Sequence, residues 1–302
     1  MALRDSKNVL LAMMEAANKH KIAIGAFNFH DLTDGQGILA AAEELQAPVI
    51  LMASEGAIKF AGLEYIVHLF KAMRDTASVP VALHMDHGKD LDLCFKCIEK
   101  GFTSVMLDAS DRPFAENVEI TKRVVTYAKQ YGVAVEGELG RIGGVEDDIS
   151  VTEREANFTD PDAAAEYVAK TQVDLLAVAI GTAHGFYKGV PQLDFDRLAK
   201  IHQAIDIPLV LHGGTGVPDA DFRRGIELGI RKINVGTELK NAYTATMRQI
   251  TAEKPLEVDP RKILIPARQA VKEAVMKKIT VFGMVQVANA AEIISNSDKI
   301  KI

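Results

Sequence analysis

Short apolar, β-branched runs alternate with longer amphipathic stretches along the whole chain. The runs are Ile22–Asn28, Pro48–Ser54, Pro80–Asp86, Thr103–Asp108, Val133–Glu138, Leu175–Gly181, Pro208–Gly213 and Lys232–Gly236. Each is near-continuously apolar rather than alternating, which is the pattern of a strand buried on both faces of a parallel sheet. Between them, Asp34–Leu45, Glu64–Arg74, Leu91–Lys100, Phe114–Tyr131, Asp162–Thr171, Phe195–Ile205, Asp219–Leu228 and Thr237–Thr251 carry apolar residues at helical spacing. In Phe114–Tyr131, Val118, Val124, Val125, Ala128 and Tyr131 recur at that spacing, Pro113 suits the first turn and Gly132 the position after the last. Eight such units with right-handed crossovers predict an α/β fold, a (β/α)8 barrel. No linker, repeat or low-complexity tract interrupts the pattern, so one domain is expected over 1–287, with a polar tail at 288–302. The longest irregular stretch, Arg141–Thr159, is rich in Gly, Asp and Glu and is expected to be a functional loop. With Gly140, Gly143 and Gly144 as pivots, it would close over a bound substrate.

Barrels of this kind carry their chemistry at the C-terminal ends of the strands. The residues found there are Asn28, Ser54, Asp86 with His87, Asp108, Glu138, Gly181 leading to His184, His212 with Gly213 and Gly214, and Asn234. The opposite ends offer mostly Pro, Val and Lys. That asymmetry marks one mouth as the candidate site. Among the other histidines, His20, His68 and His202 lie in helical segments, His30 follows the first strand, and His84 reads as a satisfied core imidazole. His87, His184 and His212 converge on the mouth and leave a fourth position open, as catalytic zinc requires. His212-Gly213-Gly214-Thr215-Gly216 and Asn234-Val235-Gly236-Thr237-Glu238 follow the last two strands, where barrels commonly bind phosphate through backbone N–H groups and a helix N-terminus. Glycines needed only for tight turns would explain the same loops less fully. No G-x-G-x-x-G follows the first strand and no Walker lysine pattern occurs, which disfavours a nucleotide cofactor.

Composition narrows the partners. The chain of 302 residues is 48% hydrophobic and 25% charged, with a net charge of −6 and no basic block, so a nucleic-acid binder is not expected. No apolar run approaches the ~20 residues of a membrane span. The first residues are polar without an apolar signal core, and a cytoplasmic protein is expected. Cys94 and Cys97 form a lone C-x-x-C in a helical segment and read as ordinary helix cysteines.

His84-Met85-Asp86-His87-Gly88, Glu138-Leu139-Gly140 with Gly143-Gly144-Val145-Glu146-Asp147, Gly181-Thr182-Ala183-His184-Gly185, and the two phosphate loops resemble the class II, metal-dependent ketose-bisphosphate aldolases. The family includes fructose- and tagatose-1,6-bisphosphate aldolases, and the resemblance runs in order from about Ala12 to Gly283. Met85 stands where many members have leucine, and Ala109 where glycine is frequent. The resemblance implies a zinc-bearing barrel, a phosphorylated ketose as substrate, and a homodimer or homotetramer. It makes His87, His184 and His212 the zinc ligands, and Asp108 and Glu138 carboxylates for a second or displaced divalent metal. Asp86 becomes the acid/base at the hydroxyl beside the breaking bond. Glu146 handles the carbon-bound proton, and Asn234 steadies the enediolate. Gly185, Gly213, Thr215 and Thr237 fall at the dihydroxyacetone-phosphate end, where a monovalent cation (Na+ or K+) also binds. Gly214, Gly236, Asn28, Ser54 and Lys188 are further substrate-binding candidates, and Arg261 matches an arginine that reaches the distal phosphate from a neighbouring subunit.

The chemistry agrees with this reading. Breaking C3–C4 of a ketose phosphate leaves a carbanion that a zinc-stabilised enediolate stores. A lysine Schiff base lacks a positioned nucleophile, because Lys188 lies past His184 and Lys232 reads as the start of its strand. A zinc hydrolase would want an H-x-H at the first strand, and Asn28-Phe29-His30 does not supply it. A non-catalytic sugar-phosphate-binding barrel would lack ligands that are all present. A 6-phospho-5-dehydro-2-deoxy-gluconate aldolase stays open beside the two bisphosphate aldolases.

Overall fold

The computed structural model describes residues 8–146, 149–151, 157–187 and 189–286, with backbone alone for 145, 146 and 149–151. In chain order the strands are β1 (Ile24–Asn28), β2 (Val49–Ser54), β3 (Val81–Gly88), β4 (Ser104–Leu107), β5 (Ala134–Leu139), β6 (Gly143–Glu146), β7 (Ile149–Val151), β8 (Leu175–Val178), β9 (Ala183–His184), β10 (Leu209–Leu211) and β11 (Ile230–Val235). The helices are α1 (Val9–His20), α2 (Leu32–Glu44), α3 (Glu55–Ala61), α4 (Leu63–Thr76), α5 (Leu91–Glu99), α6 (Phe114–Ala128), α7 (Pro161–Thr171), α8 (Phe195–Ala204), α9 (Asp219–Glu227), α10 (Thr237–Glu253) and α11 (Pro260–Val281).

Eight strands close in the order β1-β11-β10-β8-β5-β4-β3-β2, and every neighbouring pair is parallel. This is the (β/α)8 barrel that the apolar runs predict. Strands such as β2, buried at every position, explain why those runs do not alternate. Each buried aliphatic side chain contributes about 1.5–3 kcal/mol to closing the barrel.

Chain direction reverses at the mouth through capped helices. The Ser54 hydroxyl ends β2 and accepts from the Ala57 N–H, starting α3. Asp31 and Asp34 form a capping box at α2, while Asp90 and Asp160 cap α5 and α7. At the other end Asn8 donates to the carbonyls of Thr103 and Gly132, just ahead of β4 and β5, and so anchors α1 beneath the barrel.

Two expectations change. Helices α1, α3 and α11 have no counterpart among the predicted segments. The start of α11 was legible, with Asp259 as its cap and Pro260 in its first turn, but Pro266 inside the helix interrupts the pattern. The stretch Arg141–Thr159 is not simply irregular. β6 and β7 pair as an antiparallel hairpin, and β6 also pairs with β9, which carries His184. The base of the hairpin is held by the Arg141–Asn157 bridge and by Thr159, which donates to the Leu139 carbonyl. The tail expected at 288–302 and the residues Asp147, Asp148 and Lys188 lie outside the described residues. So does the side chain of Glu146. Cys94 and Cys97 are buried in α5, and burial pushes the Cys97 thiol up to about 12 and Cys94 in the same direction. Both are inert at neutral pH, as ordinary helix cysteines would be. Among the described residues no helix is long and apolar enough to cross a membrane.

Candidate active site and metal centre

Side chains alternate along a strand, so residues two apart share a face. Three barrel strands use this to send pairs of polar residues inward: His84 and Asp86 from β3, Glu136 and Glu138 from β5, Lys232 and Asn234 from β11. All six are buried. Asp86 and His87 are adjacent and should face opposite ways, yet both reach the mouth. The reason is local. His87 has φ +47°, in the left-handed region, and the register with β4 shifts between Met85 and Gly88. A bulge of this kind re-aims one side chain at a cost of about 1–3 kcal/mol, and such strain collects at functional sites.

His87, His184 and His212 each bring one ring nitrogen to within 4.8 Å of the others. The His212 Nδ1 and His87 Nε2 atoms are 2.8 Å apart, and the His87 ring stands edge-on to His184 with centroids 4.9 Å apart. Burial pushes His84 and His212 well below the usual imidazole range, so both are neutral at pH 7, the form that ligates metal. A second group, His87, Asp108 and Glu138, meets the same 4.8 Å limit. Asp108 Oδ2 lies 3.3 Å from His87 Nδ1, and Ser110 donates to Asp108 Oδ1 through both its N–H and its hydroxyl. Burial alone would raise Asp108, but the hydrogen bond and charge of His87, with Ser110 and Lys89, hold it well below the carboxylate range. Glu138 is pushed the other way, by burial and then by the charge of Asp108. Its Oε2 has no hydrogen-bond partner among the described residues. Converging imidazole nitrogens, opposed carboxylates and an orphaned carboxylate oxygen form a donor set that suits a divalent metal.

Asp86 is clamped from both sides. Asn28 Nδ2 donates to Oδ2 at 3.0 Å and Asn234 Nδ2 donates to Oδ1 at 3.1 Å. Burial raises Asp86, but the neighbouring His87 and His212 imidazoles, the Lys232 ammonium and the Asn28 bond leave it below its ordinary value, ionised at neutral pH. Ser54 sits opposite Asp86 in the β2–β3 register. Asn28 Oδ1 is buried without a hydrogen-bond partner among the described residues and is free for a ligand.

The glycine loops lie beside this cluster. A Cβ on Gly213, at φ +66°, would meet the Ala183 carbonyl oxygen at 2.4 Å, so only glycine lets the His212 loop touch the His184 strand. Tyr187 straps the same two segments: its hydroxyl accepts from the Ala183 N–H at 2.8 Å and donates to the Gly213 carbonyl at 2.9 Å. Thr215 Oγ1 accepts from the Glu238 N–H at 3.1 Å, tying the loop to α10, which opens at Gly236 with no side-chain cap ahead of Thr237. Gly214 N–H donates to the Asn234 carbonyl, and Gly185 follows His184 at φ +87°. Arg261 stands apart from these residues in the chain's own fold, exposed at the start of α11 with its guanidinium turned onto Asp259.

Sequence reasoning passed over Glu136, Lys232 and Tyr187. Lys232 is not the start of a strand but the middle of β11, fully buried, with Nζ 2.8 Å from Glu136 Oε2. A Lys and a Glu inside apolar runs of two strands are the available signal, because such groups are buried only when paired.

A family model described as class-II fructose-bisphosphate aldolase matches residues 8–286. A fructose-bisphosphate aldolase from Geobacillus stearothermophilus is 47% identical over 274 residues, covering 90% of this chain and 95% of that protein. The crystal structure of the YdjI aldolase from Escherichia coli K12 superposes with a TM-score of 0.80 at 37% identity, covering 91% of this chain and 97% of the other. A Campylobacter jejuni fructose-bisphosphate aldolase structure shares the fold at 22% identity and a TM-score of 0.79, covering 93% and 96%.

Proposed function

The chain belongs to the class-II fructose-bisphosphate aldolase family, and from that membership we propose that it reversibly cleaves a ketose 1,6-bisphosphate into dihydroxyacetone phosphate and glyceraldehyde 3-phosphate. The observation that carries the reading is the clamped, ionised Asp86 beside three converging imidazoles. The family is zinc-dependent, and His87, His184 and His212 would hold the ion, with Asp108 and Glu138 available to a second divalent metal. When bound, a metal there supplies a Lewis acid for the carbonyl of the three-carbon fragment, where the charge of the broken bond collects.

This chain's residues do the rest. Asp86, its carboxylate oriented by Asn28 and Asn234, takes the proton from the C4 hydroxyl as C3–C4 breaks. C4 becomes the aldehyde carbon of glyceraldehyde 3-phosphate, and the electron pair stays with C3. Asn234 steadies that fragment, and Glu146 returns a proton to C3 to complete dihydroxyacetone phosphate. Gly185, Gly213, Thr215, Gly236 and Thr237 hold its phosphate through backbone N–H groups and the start of α10. Gly214 lines the same loop with its N–H on the Asn234 carbonyl, and a monovalent cation would sit alongside. Ser54 and Lys188 complete the pocket. Arg261, exposed at the start of α11 and paired with Asp259, would reach the distal phosphate of a neighbouring subunit in a homodimer or homotetramer.

Fructose and tagatose bisphosphates are epimers at C4, and pocket shifts under ~1 Å decide between them. Metal-loaded protein is assayed on both, and on 6-phospho-5-dehydro-2-deoxy-gluconate. Triose phosphates should form from at least one bisphosphate, and cleavage of neither would overturn the reading. Glu146→Ala should slow solvent exchange of the dihydroxyacetone-phosphate proton while metal content stays the same. Wild-type exchange would give that proton to another group.

A further inference from the structure

We infer that Lys232 is a positioning residue whose single ammonium group orients both halves of the site. It orients the Asn234–Asp86 pair directly and the metal ligand His212 through Glu136. The inference rests on the reading above and adds to it a residue from the barrel interior.

Its Nζ donates to Asn234 Oδ1 at 2.7 Å and pairs with Glu136 Oε2 at 2.8 Å. All of this takes place out of water: Lys232, Glu136 and His212 are each 0% exposed. Glu136 Oε1 lies 2.8 Å from His212 Nε2. A carboxylate only accepts, so His212 carries its proton on Nε2 and presents the bare Nδ1 towards His87. Ligand histidines are commonly held in this way by a carboxylate behind them.

The amide of Asn234 has two ways to sit. Asn234 Nδ2 is 3.1 Å from Asp86 Oδ1 and only 3.3 Å from His212 Nε2, a donor beside a donor. Turned over, the amide oxygen would accept from that His212 N–H and the NH2 would leave Asp86. Lys232 decides the matter. By holding Oδ1 it fixes Nδ2 on Asp86, and by neutralising Glu136 it keeps the competing acceptor on His212. One buried lysine therefore sets the amide orientation and the imidazole tautomer together.

The test uses full-length protein and two neutral double variants, because Lys232→Met alone leaves a bare buried carboxylate. In Lys232→Met/Glu136→Gln the glutamine oxygen still accepts from His212, but nothing holds Asn234. In Lys232→Gln/Glu136→Gln a donor for Asn234 Oδ1 is restored. Zinc affinity is read by chelator competition, ligand geometry by the Co2+ absorption spectrum, and kcat and KM at saturating metal on the bisphosphate that the wild type cleaves. We expect zinc affinity within about 10-fold of wild type and an unshifted Co2+ spectrum in both variants. Removing a group that holds a site residue from behind costs ~10–100-fold, and we expect a kcat loss of that size in the methionine variant, with KM little changed and most of the loss recovered by glutamine at 232. Equal kcat in wild type and both variants would overturn the inference. So would an equal loss in both, which a general packing defect would produce. Glu136→Leu provides the substrate-free arm: it should weaken zinc about 10–100-fold and shift the Co2+ spectrum. Unchanged affinity would remove the His212 half. A wild type that cleaves no bisphosphate contradicts the proposed reaction instead, and the metal arm can still be read.

Discussion

The barrel interior holds two polar layers, one directly beneath the other. The upper layer, Asp86, Glu138 and Asn234, borders the three imidazoles and includes Glu138 Oε2, an atom with no hydrogen-bond partner among the described residues. The lower layer, His84, Glu136 and Lys232, is 0% exposed, and its lysine and glutamate charges are matched against each other. The same three strands supply both, two residues apart. The contrast shows a division of labour. At the top Glu138 Oε2 lies 3.7 Å from His212 Nδ1 and is open to a ligand or metal. Below, where His84 Nε2 also lacks a hydrogen-bond partner among the described residues, the paired Lys232 and Glu136 contact Asn234 and His212 from beneath.

This comparison predicts that changes in the two layers fail in different ways. Asp86→Ala should lower kcat by about 10²–10⁴, the usual worth of a positioned acid/base, with zinc content and melting temperature unchanged. Near-normal turnover would move the acid/base role elsewhere and erase the distinction from above. Lys232→Met alone should cost about 3–5 kcal/mol of folding stability in a denaturant titration, because it strands a buried carboxylate. A loss of turnover with full stability would place Lys232 in the upper layer instead. Tyr187→Phe touches neither layer and removes one bridging hydroxyl between the two loops. Two hydrogen bonds are lost at about 0.5–1.5 kcal/mol each, so KM should rise roughly 5- to 100-fold with kcat unchanged, as steady-state kinetics would show.

The upper layer was legible in the sequence and the lower one was not. Asp86, His87, Glu138, His212 and Asn234 sit where apolar runs end, and a barrel turns strand ends into a mouth. His84, Glu136 and Lys232 lie inside such runs, and a lone polar residue there reads as core or as a boundary. Only the closed barrel brings Lys232 of β11 within reach of Glu136 of β5, across strands that are not neighbours in the sheet. The same limit hid the hairpin of β6 and β7. Its pairing with β9 needs Gly144 at φ +100°, where a Cβ would meet the His184 carbonyl oxygen at 2.1 Å, and that contact spans distant parts of the chain. Helix α1 was missed for the opposite reason: it is buried on much of its surface, so its apolar pattern lacks a clean stripe.

In the proposed reaction, cleavage depends on a metal held by His87, His184 and His212, with no lysine acting as nucleophile. The most direct measurement is bisphosphate cleavage by the chelator-stripped protein, before and after zinc or cobalt is returned, with borohydride added in a parallel sample. No turnover is expected in chelator, with recovery on either metal and no substrate trapped on the chain. Full turnover in chelator, with substrate reduced onto a lysine such as Lys232, would contradict that dependence.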